Sequence, residues 1–175
     1  MATMDKPEGY VVKLETYNPD DPKESEVMMR VRVATITPVM ILVVEDYAPI
    51  RRVICSWLRG RDFQVMEAGD GSEAIERAIE LQPELILFDI GLPTLNGIES
   101  ARRVRSLVPR AKVVFVTQES SSDMIRETFR LGARGYVHKE QASRDLLPAI
   151  DTVLDGQRFV SSSLDFIIGE DVGCA

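Results

Sequence analysis

The sequence predicts an α/β fold in which five parallel strands form a sheet that is covered by helices on both faces. From Met40 onward, short apolar runs alternate five times with segments whose apolar residues recur at helical spacing. Strands separated by helices in this way pair in parallel through right-handed crossovers, which produces a three-layer sandwich. The apolar runs do not alternate with polar residues, a pattern typical of strands buried on both faces.

The predicted strands are bounded by turn residues, and several end on a polar side chain. The central one runs from Leu85 to Phe88 and ends on the carboxylate of Asp89, before a loop shaped by Gly91 and Pro93. In chain order the five predicted strands cover residues 41–44, 63–68, 85–88, 113–116 and 135–139.

A helix is predicted after each strand. Pro49 suits the first turn of the first helix, where its missing N–H costs nothing. Gly60, Gly132 and Gly156 are placed to end helices, and Asn96-Gly97 forms a turn into the third helix. The apolar positions that mark the five helices are Ile50, Val53, Ile54, Trp57 and Leu58; Ala74, Ile75, Ala78, Ile79 and Leu81; Ile98, Ala101, Val104, Leu107 and Val108; Met124, Ile125, Phe129 and Leu131; and Leu146, Leu147, Ile150, Val153 and Leu154.

Three segments are predicted along the chain. Residues 1–38 form an N-terminal extension that is polar and punctuated by prolines, with short strand-like runs at 10–14 and 27–33. This extension is interpreted as a flexible tail, as a hairpin-like cover, or as residues upstream of a natural start at Met40. Residues 39–158 form the folded domain, and residues 159–175 form a short C-terminal tail.

Composition narrows the classes of partner. The net charge of −7 argues against a nucleic-acid backbone or an anionic membrane as the main partner. The N-terminus lacks a basic region followed by an apolar run, and no apolar stretch approaches the roughly 20 residues of a membrane helix. The two cysteines, Cys55 and Cys174, lie far apart and are expected to be reduced. A cytoplasmic protein is therefore expected.

Three carboxylates are predicted to meet at the carboxyl edge of the sheet. Glu45 and Asp46 follow the first strand, and Asp89 follows the third. Carboxylates in one crevice repel each other unless a cation neutralises them. Oxygen ligands without histidine or cysteine favour Mg²⁺, or Mn²⁺, over zinc. Carboxylates of this group and one backbone carbonyl, that of Gly91, are predicted to hold the metal.

Two further polar residues are predicted at the same edge. Thr117 ends the fourth strand and offers a hydroxyl donor, while Lys139 ends the fifth strand and offers a compact positive charge. A carboxylate, a metal, a lysine and a hydroxyl together suit a small dianionic group. The site therefore predicts binding of a phosphoryl group beside Asp89.

The residues at these strand ends resemble the signature of one known family. From about Met40 to Phe159, the chain is similar to the response-regulator receiver domains of two-component signalling, the CheY-like superfamily, and within it to the NarL/LuxR-type receivers. The segments that carry the resemblance are Val44-Glu45-Asp46, Phe88-Asp89-Ile90-Gly91-Leu92-Pro93 with Asn96-Gly97, Val116-Thr117, and Gly132-Ala133-Arg134-Gly135-Tyr136-Val137-His138-Lys139.

The resemblance implies a fold and a role for each residue. The fold is the flavodoxin-like doubly wound sheet with strand order 2-1-3-4-5. Asp89 is implied to accept the phosphoryl group. Asp46 and Asp89 bind Mg²⁺ directly, with Glu45 acting largely through water. Lys139 and Thr117 then contact the phosphoryl group.

By the same resemblance, Tyr136 rotates inward as Thr117 moves. This motion switches the surface built from the fourth helix, the fifth strand and the fifth helix. The Mg²⁺-dependent reaction involves no enzymatic turnover beyond self-catalysed phosphorylation and dephosphorylation. The expected partners are a sensor histidine kinase or phosphotransfer protein and a downstream protein, without direct nucleic-acid or membrane binding, and homodimerisation is left open.

The sequence leaves open whether the chain acts as a signalling phosphoacceptor on its own. The chain is expected to act as a stand-alone receiver in a phosphorelay, because no DNA-binding helix-turn-helix follows the fifth helix. It is alternatively a degenerate receiver that acts only as an interaction module, or a fragment of a transcriptional regulator. A flavodoxin-like nucleotide or flavin site is disfavoured, because Glu45-Asp46 would repel a phosphate after the first strand.

Overall fold

The computed structural model describes residues 10–13, 32–35 and 38–167, the last range with side chains to residue 164. The chain divides into two units, Met1–Pro38 and Val39–Ala175. In the first unit, strand β1 (Tyr10–Lys13) pairs antiparallel with strand β2 (Arg32–Thr35). The short strands predicted for the extension are thus found at 10–13 and 32–33, whereas the rest of the predicted run at 27–33 lies outside the described residues.

The second unit is built on a six-stranded parallel sheet. Its strands lie in the order β4-β3-β5-β6-β7-β8, which reproduces the predicted order for the first five and adds one strand at the edge. The strands are β3 (Val39–Val44), β4 (Phe63–Ala68), β5 (Leu85–Phe88), β6 (Lys112–Thr117), β7 (Gly135–His138) and β8 (Phe159–Val160).

The five predicted helices are confirmed as α1 (Ala48–Arg59), α2 (Gly71–Leu81), α3 (Gly97–Leu107), α4 (Ser122–Arg130) and α5 (Ala142–Leu154). Polar side chains cap three of them: the side chains of Asp70, Asn96 and Ser121 accept hydrogen bonds from backbone N–H groups of the first turns of α2, α3 and α4. Gly132 and Gly156, placed after α4 and α5, adopt positive φ angles of 92° and 86°, which suit glycine.

The sheet separates two apolar cores. On one face, α1 and α5 contribute residues such as Leu58 and Ile150; on the other, α2, α3 and α4 contribute residues such as Ala78, Ala101 and Ile125. Strand β5 is fully buried, with Leu85, Ile86, Leu87 and Phe88 at 0–1% exposure. This explains why β5 consists of an unbroken apolar run, since a strand buried on both faces has no polar side.

The sixth strand departs from the sequence prediction, which placed Phe159 and Val160 in a tail outside the domain. The Phe159 N–H donates to the carbonyl of Arg134 at 3.0 Å, and the Ser161 N–H donates to that of Tyr136 at 2.9 Å. Leu164 follows in a 3-10 helix and is buried in the core. A strand of two residues is too short to show the pattern of apolar residues that predicts a strand from the sequence. Hydrogen bonds to its partner β7 define this strand instead.

The remaining sequence expectations concern cysteines and membrane segments. Cys55 is a free, buried thiol whose pKa is raised to about 11, chiefly by burial; Cys174 lies outside the described residues. Within the part of the chain that the structure describes, no helix has both the length and the apolar character needed to cross a membrane.

Candidate functional site

Sheet register places the acidic residues side by side. Val44 of β3 pairs with Phe88 of β5, and each is the last residue of its strand. The chain therefore leaves both strands at the same level, which puts Glu45 beside Asp89. The Asp89 N–H donates to the carbonyl of Val44 at 2.9 Å and fixes this start of the loop.

The three predicted acidic side chains converge. One carboxylate oxygen from each of Glu45, Asp46 and Asp89 lies within 4.8 Å of the other two. Glu45 and Asp89 are buried, whereas Asp46 is exposed. A cation bound here would therefore be open to solvent on the side of Asp46. On its other side it would contact the buried carboxylates of Glu45 and Asp89.

Lys139 supplies the counter-charge. Its Nζ donates a hydrogen bond to Asp89 Oδ2 at 2.7 Å and forms an ion pair with Glu45 Oε2, also at 2.7 Å. Burial alone would lower the pKa of Lys139, but the two carboxylates outweigh it and raise the pKa above its usual value. The lysine is therefore charged and bridges two of the three acids.

The acidic cluster fits a divalent cation. Burial raises the pKa of Glu45, although Lys139 opposes this effect. Glu45 Oε2 is buried and pairs with the ammonium of Lys139 at 2.7 Å. Three carboxylates that share one ammonium keep an excess of negative charge, and their oxygen atoms are the ligands that a hard cation such as Mg²⁺ prefers.

The loop after Asp89 brings glycine backbone close to the site. A Cβ atom on Gly91 would lie 3.5 Å from Asp89 Oδ2, so the backbone of Gly91 passes next to the carboxylate. The Gly97 N–H donates to the carbonyl of Ile90 at 3.0 Å and closes the loop. The structure thus places Gly91 beside Asp89, as predicted; its assignment as a carbonyl ligand stays a prediction.

Thr117 and Tyr136 meet on one residue that the sequence did not single out. The Glu119 N–H donates to Thr117 Oγ1 at 3.3 Å, and the Tyr136 hydroxyl donates to the carbonyl of Glu119 at 2.9 Å. Tyr136 is fully buried and packs at 6.5 Å from the ring of Phe115. The aromatic residue therefore occupies its inward position here, linked to the predicted switch hydroxyl through the Glu119 backbone.

Arg51 is a second residue of the site that the sequence did not single out. Its guanidinium donates to the backbone carbonyls of Glu45 and Asp46, at 2.5 and 3.3 Å, and to the side chain of Glu67. A signal was available, because a basic residue in the first turn of a helix is unfavourable beside the helix dipole and calls for a local partner. Glu119 gave no such signal, since it acts through backbone groups.

Comparison with known proteins identifies a family that contains the residues of this site. Residues 41–151 match the family described as response regulator receiver domain. The chain is 32% identical over 126 residues to the transcriptional activator protein ExaE of Pseudomonas putida, covering 71% of this chain and 59% of that protein. It is equally similar to the transcriptional regulatory protein PdtaR of Mycobacterium tuberculosis, with 71% and 61% covered. The chain thus spans about three fifths of the length of these relatives.

Solved structures share the fold. A LuxR-family two-component response regulator from Aurantimonas sp. SI85-9A1 superposes with a TM-score of 0.71 and 29% identity, covering 77% of this chain and 97% of that one. A CheY-like receiver domain protein from Methanospirillum hungatei superposes with a TM-score of 0.66 and 30% identity, covering 69% and 97%. The family match, residues 41–151, contains all of the site residues described above.

Proposed function

The chain belongs to the response regulator receiver family of two-component signalling, and on that premise we propose that it accepts a phosphoryl group on Asp89 in a Mg²⁺-dependent reaction. One observation carries the proposal. Lys139 Nζ lies 2.7 Å from an oxygen of Asp89 and 2.7 Å from an oxygen of Glu45, within a cluster of three carboxylates. This arrangement supplies a nucleophile, a counter-charge and cation ligands in one place.

In the proposed reaction, an oxygen of the Asp89 carboxylate attacks the phosphorus atom of a phosphohistidine or of a small acyl phosphate. A new P–O bond forms on Asp89. The P–N bond of the phosphohistidine, or the P–O bond of the acyl phosphate, breaks, and the leaving group keeps the electron pair. Because the transition state of phosphoryl transfer is mostly loose, the protein contributes chiefly position and charge neutralisation. Lys139 contributes both, next to the attacking carboxylate.

Glu45, Asp46 and Asp89 would hold the cation, together with the carbonyl of Gly91. When bound, Mg²⁺ neutralises negative charge on the transferring phosphoryl oxygens. The convergence of the three carboxylates around one ammonium supports this assignment. The burial of Glu45 also favours a bound cation, because a cation would stabilise the ionised form that burial destabilises.

The proposed switch begins at Thr117. As its hydroxyl moves to donate to the phosphoryl group, it gives up the hydrogen bond from the Glu119 N–H. The carbonyl of Glu119 accepts a hydrogen bond from the Tyr136 hydroxyl. Displacement of the loop that contains Glu119 therefore changes the environment of the buried Tyr136 ring. The proposed result is a shift in the surface formed by α4, β7 and α5.

The proposed partners are a sensor histidine kinase or phosphotransfer protein, which supplies the phosphoryl group, and a downstream protein that reads the switched surface. Phosphorylation and dephosphorylation would be self-catalysed, without further enzymatic activity. That the receiver works alone, without a DNA-binding module, stays a prediction from the sequence, because the curated relatives are longer than this chain.

Treatment of the purified protein with Mg²⁺ and acetyl phosphate tests the proposal. We expect intact mass spectrometry to show one added phosphoryl group, and removal of Mg²⁺ with a chelator to prevent it. Beryllofluoride with Mg²⁺ should form a matching adduct. Asp89→Asn should abolish both, because an amide oxygen is a poor nucleophile and carries no charge.

Asp123→Asn is the matched control. Asp123 is an exposed aspartate in the first turn of α4, and among the described residues it forms an ion pair only with Arg126, a long contact of 3.8 Å. This variant should be phosphorylated like the wild type. If the wild type forms neither adduct, or if Asp89→Asn is still modified, the phosphoacceptor function is wrong, and a receiver used only as an interaction module becomes the better description.

A further inference from the structure

We propose that Arg51 is a positioning residue that holds the loop of residues 45–47, the acidic loop, so that its two carboxylates can bind the divalent cation. This inference rests on the proposed function, because it concerns the same cation site. Arg51 itself contacts no carboxylate of the cluster, and acts through the backbone of the loop that carries two of them.

The contacts of Arg51 fall on two different elements. Nη1 donates to the carbonyl of Glu45 at 2.5 Å and to that of Asp46 at 3.3 Å. Nε donates to Glu67 Oε2 at 3.2 Å, and Glu67 lies on the neighbouring strand β4. The guanidinium therefore ties the backbone of the acidic loop to the sheet. A planar group with several donors in a fixed arrangement suits this task better than a lysine.

The far end of this link is itself anchored. Glu67 Oε1 accepts a second hydrogen bond, from Arg59 Nη2 at 2.8 Å. Burial would raise the pKa of Glu67, but Arg59 and Arg51 outweigh burial and lower it. Glu67 is thus a charged acceptor held from two sides.

The position of Arg51 in α1 is otherwise unfavourable. It lies in the first turn of the helix, where the positive end of the dipole repels a cation. Tyr47 stands at the N-cap and makes no side-chain cap, so neighbouring side chains must hold the start of α1. Glu45 Oε1 accepts from the Tyr47 N–H at 3.2 Å, while Arg51 holds the two preceding carbonyls.

A positioning role and a purely electrostatic effect of Arg51 predict opposite changes in cation affinity when Arg51 is removed. Arg51 carries a positive charge close to a cation site, so a purely Coulombic effect would make its removal strengthen cation binding. If Arg51 fixes the loop, its removal lets the carboxylates of Glu45 and Asp46 move apart and weakens binding. Loss of a group that orients metal ligands typically costs about 10- to 100-fold in metal affinity.

The test is a cation-binding measurement without phosphoryl transfer. Mn²⁺ binding is followed by loss of the free-ion electron paramagnetic resonance signal, and Mg²⁺ affinity is obtained by competition. We expect Arg51→Ala to weaken Mg²⁺ binding by about tenfold. Arg51→Lys should recover part of the affinity, because an ammonium can donate to the two carbonyls but cannot also replace the bond to Glu67.

Arg52, the neighbour of Arg51 on the same helix, serves as the control. It is exposed, and among the described residues its side chain donates to the carbonyl of Ala48. Arg52→Ala removes the same charge from α1 and should bind Mg²⁺ within about twofold of the wild type, a change of under about 0.5 kcal/mol. Arg59→Ala, which removes one of the two partners of Glu67, should weaken binding less than Arg51→Ala. Glu67→Gln should fall between the wild type and Arg51→Ala, and its effect should not add fully to that of Arg51→Ala, because the two side chains act as one link.

The outcomes separate this inference from the proposed function. If Arg51→Ala binds Mg²⁺ as tightly as the wild type or more tightly, Arg51 does not position the loop. The same conclusion follows if Arg52→Ala loses as much affinity. Should Arg51→Ala fail to fold, Arg51→Lys and Glu67→Gln decide the question by the same criterion. If the wild type itself binds neither cation, the proposed metal site is wrong, independently of Arg51.

Discussion

At the scale of single residues, one backbone oxygen limits what can stand at position 97. A Cβ atom added to Gly97 would lie 1.9 Å from the carbonyl oxygen of Asp89 and 2.9 Å from the Cα of Ile90. Backbone atoms cannot move aside as a flexible side chain can. The start of α3 therefore packs directly against the residue that carries the proposed nucleophile, and only glycine allows this approach.

We expect Gly97→Ala to lower the free energy of unfolding by about 2 kcal/mol, because an overpacked position forces the backbone to shift. Since the shift displaces Asp89, beryllofluoride adduct formation should weaken as well. Urea unfolding measures the first effect and fluorine NMR the second. The matched control is Gly60→Ala, whose added Cβ meets its nearest atom at an ordinary 3.5 Å. Equal loss of stability in both variants would contradict the argument.

The sequence was informative about site residues whose own side chains carry the chemistry. Asp89 and Lys139 could be placed together because parallel strands end at the same edge of a sheet, and an acid or a lysine stands out after an apolar run. Arg51 and Glu119 escaped the same reasoning for a physical reason. Both act on or through peptide groups, and which carbonyl a side chain reaches depends on loop conformation that no residue type specifies.

At the scale of elements, β8 secures the edge of the sheet beside the proposed switch. Ser161, which follows β8, is fully buried, and its Oγ accepts from the His138 N–H at 3.1 Å. On the other side it contributes, after Arg144, to lowering the pKa of the buried Asp145 in α5. The hydroxyl therefore joins the end of β8 to β7 and influences a buried carboxylate of α5; β7 and α5 are two of the three elements of the proposed output surface.

We expect Ser161→Ala to lower the free energy of unfolding by about 1–3 kcal/mol, because the part-buried N–H of His138 loses its hydrogen-bond acceptor and the buried Asp145 loses a polar neighbour. Ser163→Ala is the matched control, since Ser163 is exposed and its hydroxyl donates to Gln141 Oε1, its one side-chain hydrogen bond within the part of the chain that the structure describes. Its effect should stay within about 0.5 kcal/mol. Urea unfolding followed by circular dichroism compares the two variants, and equal stabilities would show that the hydroxyl of Ser161 is not needed at this edge.

Elements that are long enough to show a pattern of apolar residues were predictable from the sequence, and β8 was not. The helices α1 to α5 each show enough apolar residues at helical spacing to define a face, and caps such as Asp70 mark their starts. The five predicted strands are bounded by turn residues and follow a regular alternation with the helices. Strand β8 has two residues and follows α5 without a further helix, so it forms because the edge of β7 offers unpaired backbone groups.

At the scale of the whole molecule, folding collects charges of one sign at one end of the sheet. Glu45, Asp46 and Asp89 come within 4.8 Å of one another, and one ammonium, that of Lys139, lies among them. The packed cores on both faces of the sheet must offset the resulting repulsion. A cation that binds the folded protein alone would relieve it and so raise the free energy of unfolding.

Lys139→Met is expected to make this linkage visible. Removal of one partner from a buried ion pair leaves uncompensated charge and costs about 3 kcal/mol, so the variant should be less stable without Mg²⁺. Mg²⁺ should restore stability more strongly in the variant than in the wild type, because it then replaces the ammonium charge that Glu45 and Asp89 have lost. Thermal unfolding over a range of Mg²⁺ concentrations measures both effects. Lys112→Met is the matched control: Lys112 Nζ donates to the carbonyl of Leu154 at 2.7 Å and forms no ion pair with the acidic side chains that the structure describes, so the stability of this variant should not respond to Mg²⁺ more than that of the wild type. An equal response of the two lysine variants would show that the stability of the domain is not coupled to charge at this edge.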